Sequence, residues 1–197
     1  MADIIVKLVI GITGTPGVGK SYFSNELKKH TSINVVELNN IVRKHKLFYG
    51  FDKDKSMVVK LDMLNTYTKR EINRSKKSIA LVGHLVPELK IKFDILIVLR
   101  LDLNGLLLRF QKRGYTNNKL KENIVAEALD YCGEKAKNKK IAKEIYEIES
   151  SDPNQRKELI NYIKMRLCNI KADPPNLKTI NYMPQLYKLA KGGKYGF

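Results

Sequence analysis

Ile4-Ile5-Val6-Lys7-Leu8-Val9-Ile10-Gly11-Ile12-Thr13 runs directly into Gly14-Thr15-Pro16-Gly17-Val18-Gly19-Lys20-Ser21. The first half is short, β-branched and apolar on both faces, which predicts a central parallel strand covered by helices on either side. The second half is GxxxxGK[ST], placed where a strand hands over to a helix. Its glycines allow successive backbone N–H groups to turn inward around phosphate oxygens. The following helix N-terminus adds partial positive charge, Lys20 reaches the β and γ phosphates, and Ser21 is a magnesium ligand. A mere glycine-rich strand-to-helix turn would need neither the lysine nor the serine. The stretch therefore predicts a nucleoside triphosphate site that uses ATP and Mg2+, held by Gly14, Thr15, Pro16, Gly17, Val18, Gly19, Lys20 and Ser21, with Tyr22 beside them.

Outward from this loop, Ser21 to Lys29 has helical spacing, with Tyr22, Phe23 and Leu27 available to a core. Further strands are expected at Ile33–Leu38, Ile79–Val82, Asp94–Leu99 and Ile145–Ile148, with helical patterns between them. Strands alternating with helices predict an α/β fold with a parallel five-stranded sheet flanked by helices. Residues 40–77 form an insertion in which Val58, Leu61, Leu64 and Thr68 mark a helical face after a turn at Gly50. Leu103–Lys112 reads as a helix broken by Gly114, and Lys119–Lys143 as a longer one. Asp173-Pro174-Pro175 ends the regular pattern, so one domain is expected over 1–171, with 172–197 as a basic tail. That tail carries Tyr182, Tyr187, Tyr195 and Phe197 among Lys178, Lys188, Lys191 and Lys194. It is either an RNA or ribosome contact or a loose terminus that packs one tyrosine.

The 197 residues suit a single globular domain, and a hydrophobic content of 43% is too high for a chain disordered throughout. Ile95–Leu99, at the heart of the fourth strand, is far shorter than a membrane-spanning helix requires. The N-terminal run holds Asp3 and Lys7 and has no small-residue cleavage site, so a cytoplasmic protein is expected. Cys132 and Cys168 have neither metal-site nor redox spacing. A net charge of +17 favours phosphate-rich partners, although lysine supplies most of it and much of that can be solvated helix surface.

Beyond the loop, five features occur in a fixed order: Arg43, Leu47-Phe48-Tyr49-Gly50-Phe51-Asp52, Val98-Leu99-Arg100, Arg109-Phe110-Gln111-Lys112-Arg113-Gly114-Tyr115, and Lys119-Leu120-Lys121-Glu122-Asn123-Ile124. In this order, over about residues 5–170, the chain resembles the adenylate kinase isoenzyme 6 family in its archaeal form. These are the coilin-interacting nuclear ATPase relatives that serve in small-ribosomal-subunit maturation. The resemblance implies a P-loop nucleotide-kinase fold with a short lid at about 112–125 and an AMP-binding insertion. It implies phosphoryl transfer from ATP to AMP, with water as an alternative acceptor. The implied partners are the platform ribosomal protein eleven and rRNA. Catalysis of this type rests on alignment and charge neutralisation, because the acceptor phosphate is already an anionic nucleophile. Lys20, Arg109, Arg113 and His84 are then the expected catalytic residues, Arg113 also touching ATP. Asn40, Arg43 and Arg100 would receive AMP, and the segment around Asp152 would turn beneath the adenine. A plainer reading of each arginine is a solvated or ion-paired surface residue. A different class of function, a nucleotide-gated assembly factor with little turnover, fits the same residues.

Two positions depart from the family. It carries an acid, any residue and His after the third strand, whereas Val82-Gly83-His84 keeps only the histidine; Asp102 is the nearest candidate substitute. His84 would orient water, contact phosphate or simply end a strand. In the acceptor region Asn39-Asn40-Ile41 replaces Gly-Asp-Leu, which removes a carboxylate.

Overall fold

A computed structural model describes residues 6–53, 55–177 and 179–192. Asp3, Ile4, Ile5, Lys178, Lys194, Tyr195 and Phe197, named in the expectations above, lie outside them. The strands β1 (Val9–Thr13), β2 (Asn34–Glu37), β5 (Ile79–Val82), β6 (Phe93–Arg100) and β7 (Ala142–Glu149) form one parallel sheet in the order β2-β5-β1-β6-β7. A separate antiparallel hairpin pairs β3 (Phe48–Phe51) with β4 (Met57–Val59). The helices are α1 (Lys20–His30), α2 (Leu38–Lys44), α3 (Leu61–Arg74), α4 (Leu103–Lys112), α5 (Asn117–Ala128), α6 (Tyr131–Asn138), α7 (Pro153–Leu167) and α8 (Met183–Lys191).

Strand alternation splits the core in two. Ile95, Ile97 and Leu99 of β6 face one way, with Ile10, Ile12, Ala80 and Val82, and meet Phe23 and Leu27 of α1, Phe110 of α4 and Ile163 of α7. Leu96 and Val98 face the other way, with Ile79 and Leu81, against Val42 of α2, Leu64 of α3 and Ala136 of α6. Burial on both faces is why these strands read as unbroken apolar runs. Each fully buried Leu, Ile or Phe contributes about 1.5–3 kcal/mol relative to exposure, so the two layers carry the fold's stability. The chain moves to opposite sides of β1 on the way to β2 and to β6. The carboxyl end of β1 is therefore the switch point at which an open parallel sheet leaves a crevice.

Polar caps set the helix starts that frame this crevice. Asp102 accepts from Gly105 N (2.9 Å) to begin α4, Thr116 from Lys119 N (3.3 Å) to begin α5, and Asp152 from Asn154 N (2.8 Å) to begin α7, where Pro153 occupies the first turn.

Four local expectations are corrected by the structure. Gly50 lies inside β3 and Val58 inside β4, and the chain reverses after Phe51, where Ser56 N donates to Asp52 Oδ1 (2.8 Å). Helical spacing starts only at Leu61, of which Leu64 and Thr68 are buried; the aromatic strands before it share too few periods to separate by pattern. The helical stretch from Lys119 breaks at Asp130, which adopts φ 49° between α5 and α6. Residues 179–192 are not a tail outside the domain. Tyr182 is 5% exposed, α8 packs on α5, and Gln185 Oε1 accepts from Leu103 N (2.8 Å). Tyr22, expected to face the core, is 61% exposed.

Candidate active site

The loop between β1 and α1 has φ of 135° at Gly14, 95° at Gly17 and 111° at Gly19, a region that residues with a Cβ rarely adopt. At Gly14 the constraint is also steric, since a Cβ would sit 2.3 Å from the Leu99 carbonyl oxygen of β6. Lys20 Nζ donates to the Gly14 and Thr15 carbonyl oxygens (2.8 and 2.9 Å), so the ammonium is folded over the loop. Burial pushes its pKa down to about 8; the neighbouring Arg113 lowers it further and the carboxylates of Glu127 and Glu37 act against this. Ser21 Oγ donates to Glu37 Oε1 (2.9 Å) at the carboxyl end of β2.

A cleft of about 600 Å³ runs along the loop, lined by residues 16–22 with Glu37, Arg109, Arg113 and Ser150. Beyond it lies a cavity of about 980 Å³ between the β3–β4 hairpin and α5, lined by Arg43, Lys46, Phe48, Phe51 and Lys119 among others. Pro16, Asn39, His84 and Tyr115 line both, so the two spaces share a wall. Lys119 Nζ donates to Ser56 Oγ (2.8 Å) and ties α5 to the hairpin across the cavity.

Between α4 and α5 the chain cannot stay helical. Gly114, with φ 64°, ends α4 and turns the chain into Tyr115, whose ring stacks on Phe110 at 4.7 Å. Arg109 Nη1 donates to the Gly17 carbonyl (2.7 Å), and Arg113, the residue capping α4, is exposed on the same cleft. Two guanidinium groups and one ammonium thus line a cleft that runs along the glycine loop, a set matched to a polyphosphate. His84, itself exposed, lines both spaces. Partial desolvation beside the cleft and then the Lys20 charge push its pKa down to about 4, so it is neutral at neutral pH.

The structure brings together Gly14 to Tyr22, Lys20, His84, Arg109, Arg113 and Arg43, and it does not place four other expected residues in the site. Arg100 is 1% exposed and lines neither space. Its Nε and Nη1 meet Glu127 (3.0 Å), Asp130 (3.0 Å) and Glu147 (3.3 Å), and Nη2 donates to the Glu127 carbonyl oxygen (2.6 Å). Three carboxylates converge from α5, the α5–α6 break and β7, so the guanidinium turns inward to neutralise them. Asn40 is exposed outside both spaces; its neighbour Asn39 lines them, because one residue along α2 rotates a side chain by a large fraction of a turn. Asp152 caps α7, and Ser150 takes the expected place beside the loop, its Oγ donating to the Val18 carbonyl oxygen. Asp102 is occupied as the cap of α4.

Sequence reasoning gave no role to Glu37, Lys46 and Lys119, and within the segment around Asp152 it singled out Asp152 instead of Ser150. For Glu37 the signal was an acid at a strand's carboxyl end, which becomes informative once the strand is known to lie beside the one ending at Val82. Among the described residues no group of three or more His, Cys, Asp or Glu side chains could hold a metal ion. The oxygens of Ser21 and Glu37 suit a hard cation such as Mg2+, which completes its shell with water and phosphate. No helix among them is long and apolar enough to cross a membrane.

The chain matches the family model described as an AAA domain over residues 10–130. It is 38% identical over 159 residues to a Methanocaldococcus jannaschii protein named "Putative adenylate kinase", covering 79% of this chain and 85% of that one. A Methanococcus maripaludis protein of the same name is 36% identical over 168 residues, covering 81% and 88%. Among solved structures, shikimate kinase from Acinetobacter baumannii in complex with shikimate superposes with a TM-score of 0.56 at 15% identity, covering 85% of this chain and 97% of that one. Shikimate kinase from Bacteroides thetaiotaomicron gives 0.52 at 15% identity, covering 81% and 98%; at such identity the likeness is one of fold. With more than half its length inside the family model and archaeal relatives of 36–38% identity over about four-fifths of the chain, it belongs to the AAA domain family and has a P-loop kinase fold.

Proposed function

We infer that the protein is an adenylate kinase, transferring the γ-phosphoryl group of Mg2+-bound ATP to AMP. The observation that carries this reading is the shared wall of the two spaces. A cationic phosphate cleft adjoins a second cavity holding Arg43 and Lys46 and shares Pro16, Asn39, His84 and Tyr115 with it, so a nucleoside monophosphate there would turn its phosphate toward the γ-phosphate. Phe48 and Phe51 offer apolar surface for a base. An AMP phosphate oxygen attacks the γ-phosphorus as the bond from γ-phosphorus to the β,γ-bridging oxygen breaks, giving two molecules of ADP. No proton need be removed, in keeping with a neutral His84 that touches both spaces. Lys20, Arg109 and Arg113 would neutralise charge on the transferring group, Arg43 would hold the AMP phosphate, and magnesium would neutralise phosphate charge beside Ser21. The names of the archaeal relatives support the same acceptor.

The test is turnover of ATP against AMP, CMP, GMP and UMP. We expect ADP formation fastest with AMP; equal rates without any monophosphate would replace the kinase by an ATPase. A second reading is a nucleotide-gated contact with a small-subunit ribosomal protein or rRNA. It is favoured by the +17 charge and by Val82 in place of the family's acid. It requires RNA or ribosomal-protein affinity that differs between the ATP-bound and ADP-bound protein.

A further inference from the structure

Glu37 and Val82 are register partners on the neighbouring strands β2 and β5, at the end of the sheet where the P-loop turns. Val82 is fully buried and apolar, so β5 offers no carboxylate where the resemblance leads one to seek it. Asp102 is committed to capping α4. Glu37, one strand over, is the only carboxylate among the described residues lining the phosphate cleft, and it accepts the Ser21 hydroxyl at 2.9 Å. The remaining charged groups of that cleft, Lys20, Arg109 and Arg113, are cations suited to polyphosphate. A lone carboxylate among them repels phosphate and weakens binding unless a cation stands between the two.

We propose that Glu37 supplies from β2 the carboxylate that positions the water shell of the nucleotide-bound magnesium ion, replacing the acid absent at Val82. The two positions lie side by side across a parallel pair, so moving the carboxylate from one strand to the other changes its reach by about one strand spacing, roughly 4.8 Å. A glutamate is one methylene longer than an aspartate and recovers part of that distance. The Ser21 hydroxyl that now donates to Glu37 is the group expected at the ion itself, which sets the carboxylate beside the ion as an outer partner. The inference rests on the reading of the cleft as an ATP site.

ATP affinity of the wild-type protein and of Glu37→Gln, measured by calorimetry with excess Mg2+ and again in EDTA, separates the roles. We expect magnesium to tighten ATP binding in the wild type and Glu37→Gln to reduce that gain about tenfold or more, the usual loss for an outer-shell metal partner. ATP in EDTA should bind the variant more tightly, because a negative charge has left the cleft. Glu37→Asp, which keeps the charge, should retain part of the gain. Mn2+ substituted for Mg2+ should give an electron paramagnetic resonance spectrum in the ATP complex that changes in Glu37→Gln. An unchanged magnesium gain would overturn the inference and leave the ATP site standing. Equal loss with and without magnesium would reduce Glu37 to a prop for Ser21. Absence of ATP binding by the wild type under either condition would remove both.

Discussion

Arg109 Nη1 donates to the carbonyl of Gly17 at 2.7 Å, joining helix α4 to the loop it overlooks. Arg113, one turn further on, has no such tether among the described residues and is exposed on the same cleft. The two arginines therefore have different work, although their spacing makes them look equivalent. Arg109→Ala should loosen the loop and weaken both ATP affinity and turnover. Arg113→Ala should lower kcat by about 10²–10³-fold with ATP affinity changed only a few-fold, as for removal of one donor to a charged transition state. Steady-state kinetics beside nucleotide calorimetry distinguish them; matching losses in both variants would mean that Arg113 also grips the ground state.

Arg100 is a structural cation and should behave as one. Arg100→Ala leaves Glu127, Asp130 and Glu147 converging without their counter-charge, and urea denaturation should show a loss of about 3–5 kcal/mol. The KM for AMP in the folded protein should hold. Arg43→Ala should do the reverse, raising that KM by roughly tenfold or more with unchanged stability, as expected for one charge-assisted contact.

The pKa of Lys20, pushed down to about 8 by burial, couples ATP binding to pH. Phosphate favours the charged ammonium, so the bound state has the higher pKa and binding takes up a proton where the free amine is neutral. Affinity should be nearly level below pH 7 and fall by close to tenfold per unit well above pH 8. Calorimetry in buffers of different ionisation enthalpy should show the proton uptake growing over the same range. Lys20→Arg should flatten the slope.

Tyr182 makes residues 179–192 part of the domain. Its ring lies buried under the Arg100 guanidinium, 5.3 Å from ring centre to the guanidinium carbon, and its hydroxyl donates to Glu149. Tyr182→Ala should cost about 3 kcal/mol or more, as for other buried aromatic truncations. The exposed Tyr187→Ala on the same helix should change stability by less than about 0.5 kcal/mol.

What could be read before the structure was local. The loop from Gly14 to Ser21 demands particular φ values and a particular strand and helix around it, and the buried strands announce themselves by composition. Residues whose role depends on a neighbour distant in sequence were misplaced. Arg100 sits at a strand's carboxyl end whether it faces a ligand or three carboxylates, and only the folding of α5 and β7 around it decides. Glu37 gains its meaning from the register with Val82, which no spacing along the chain reveals. Asn39 and Asn40 differ by one step around a seven-residue helix too short to show its phase. Tyr182 stands after a proline-rich break that hides the return of the chain to the core.

The central claim is that two adjoining spaces hand a phosphoryl group from ATP to a monophosphate. Phosphorus NMR of the purified protein with ATP and Mg2+, followed with and without AMP, tests it most directly. The account predicts ADP accumulating only when AMP is present, at two ADP per ATP consumed and with no inorganic phosphate. Inorganic phosphate released at the same rate with or without AMP would contradict it.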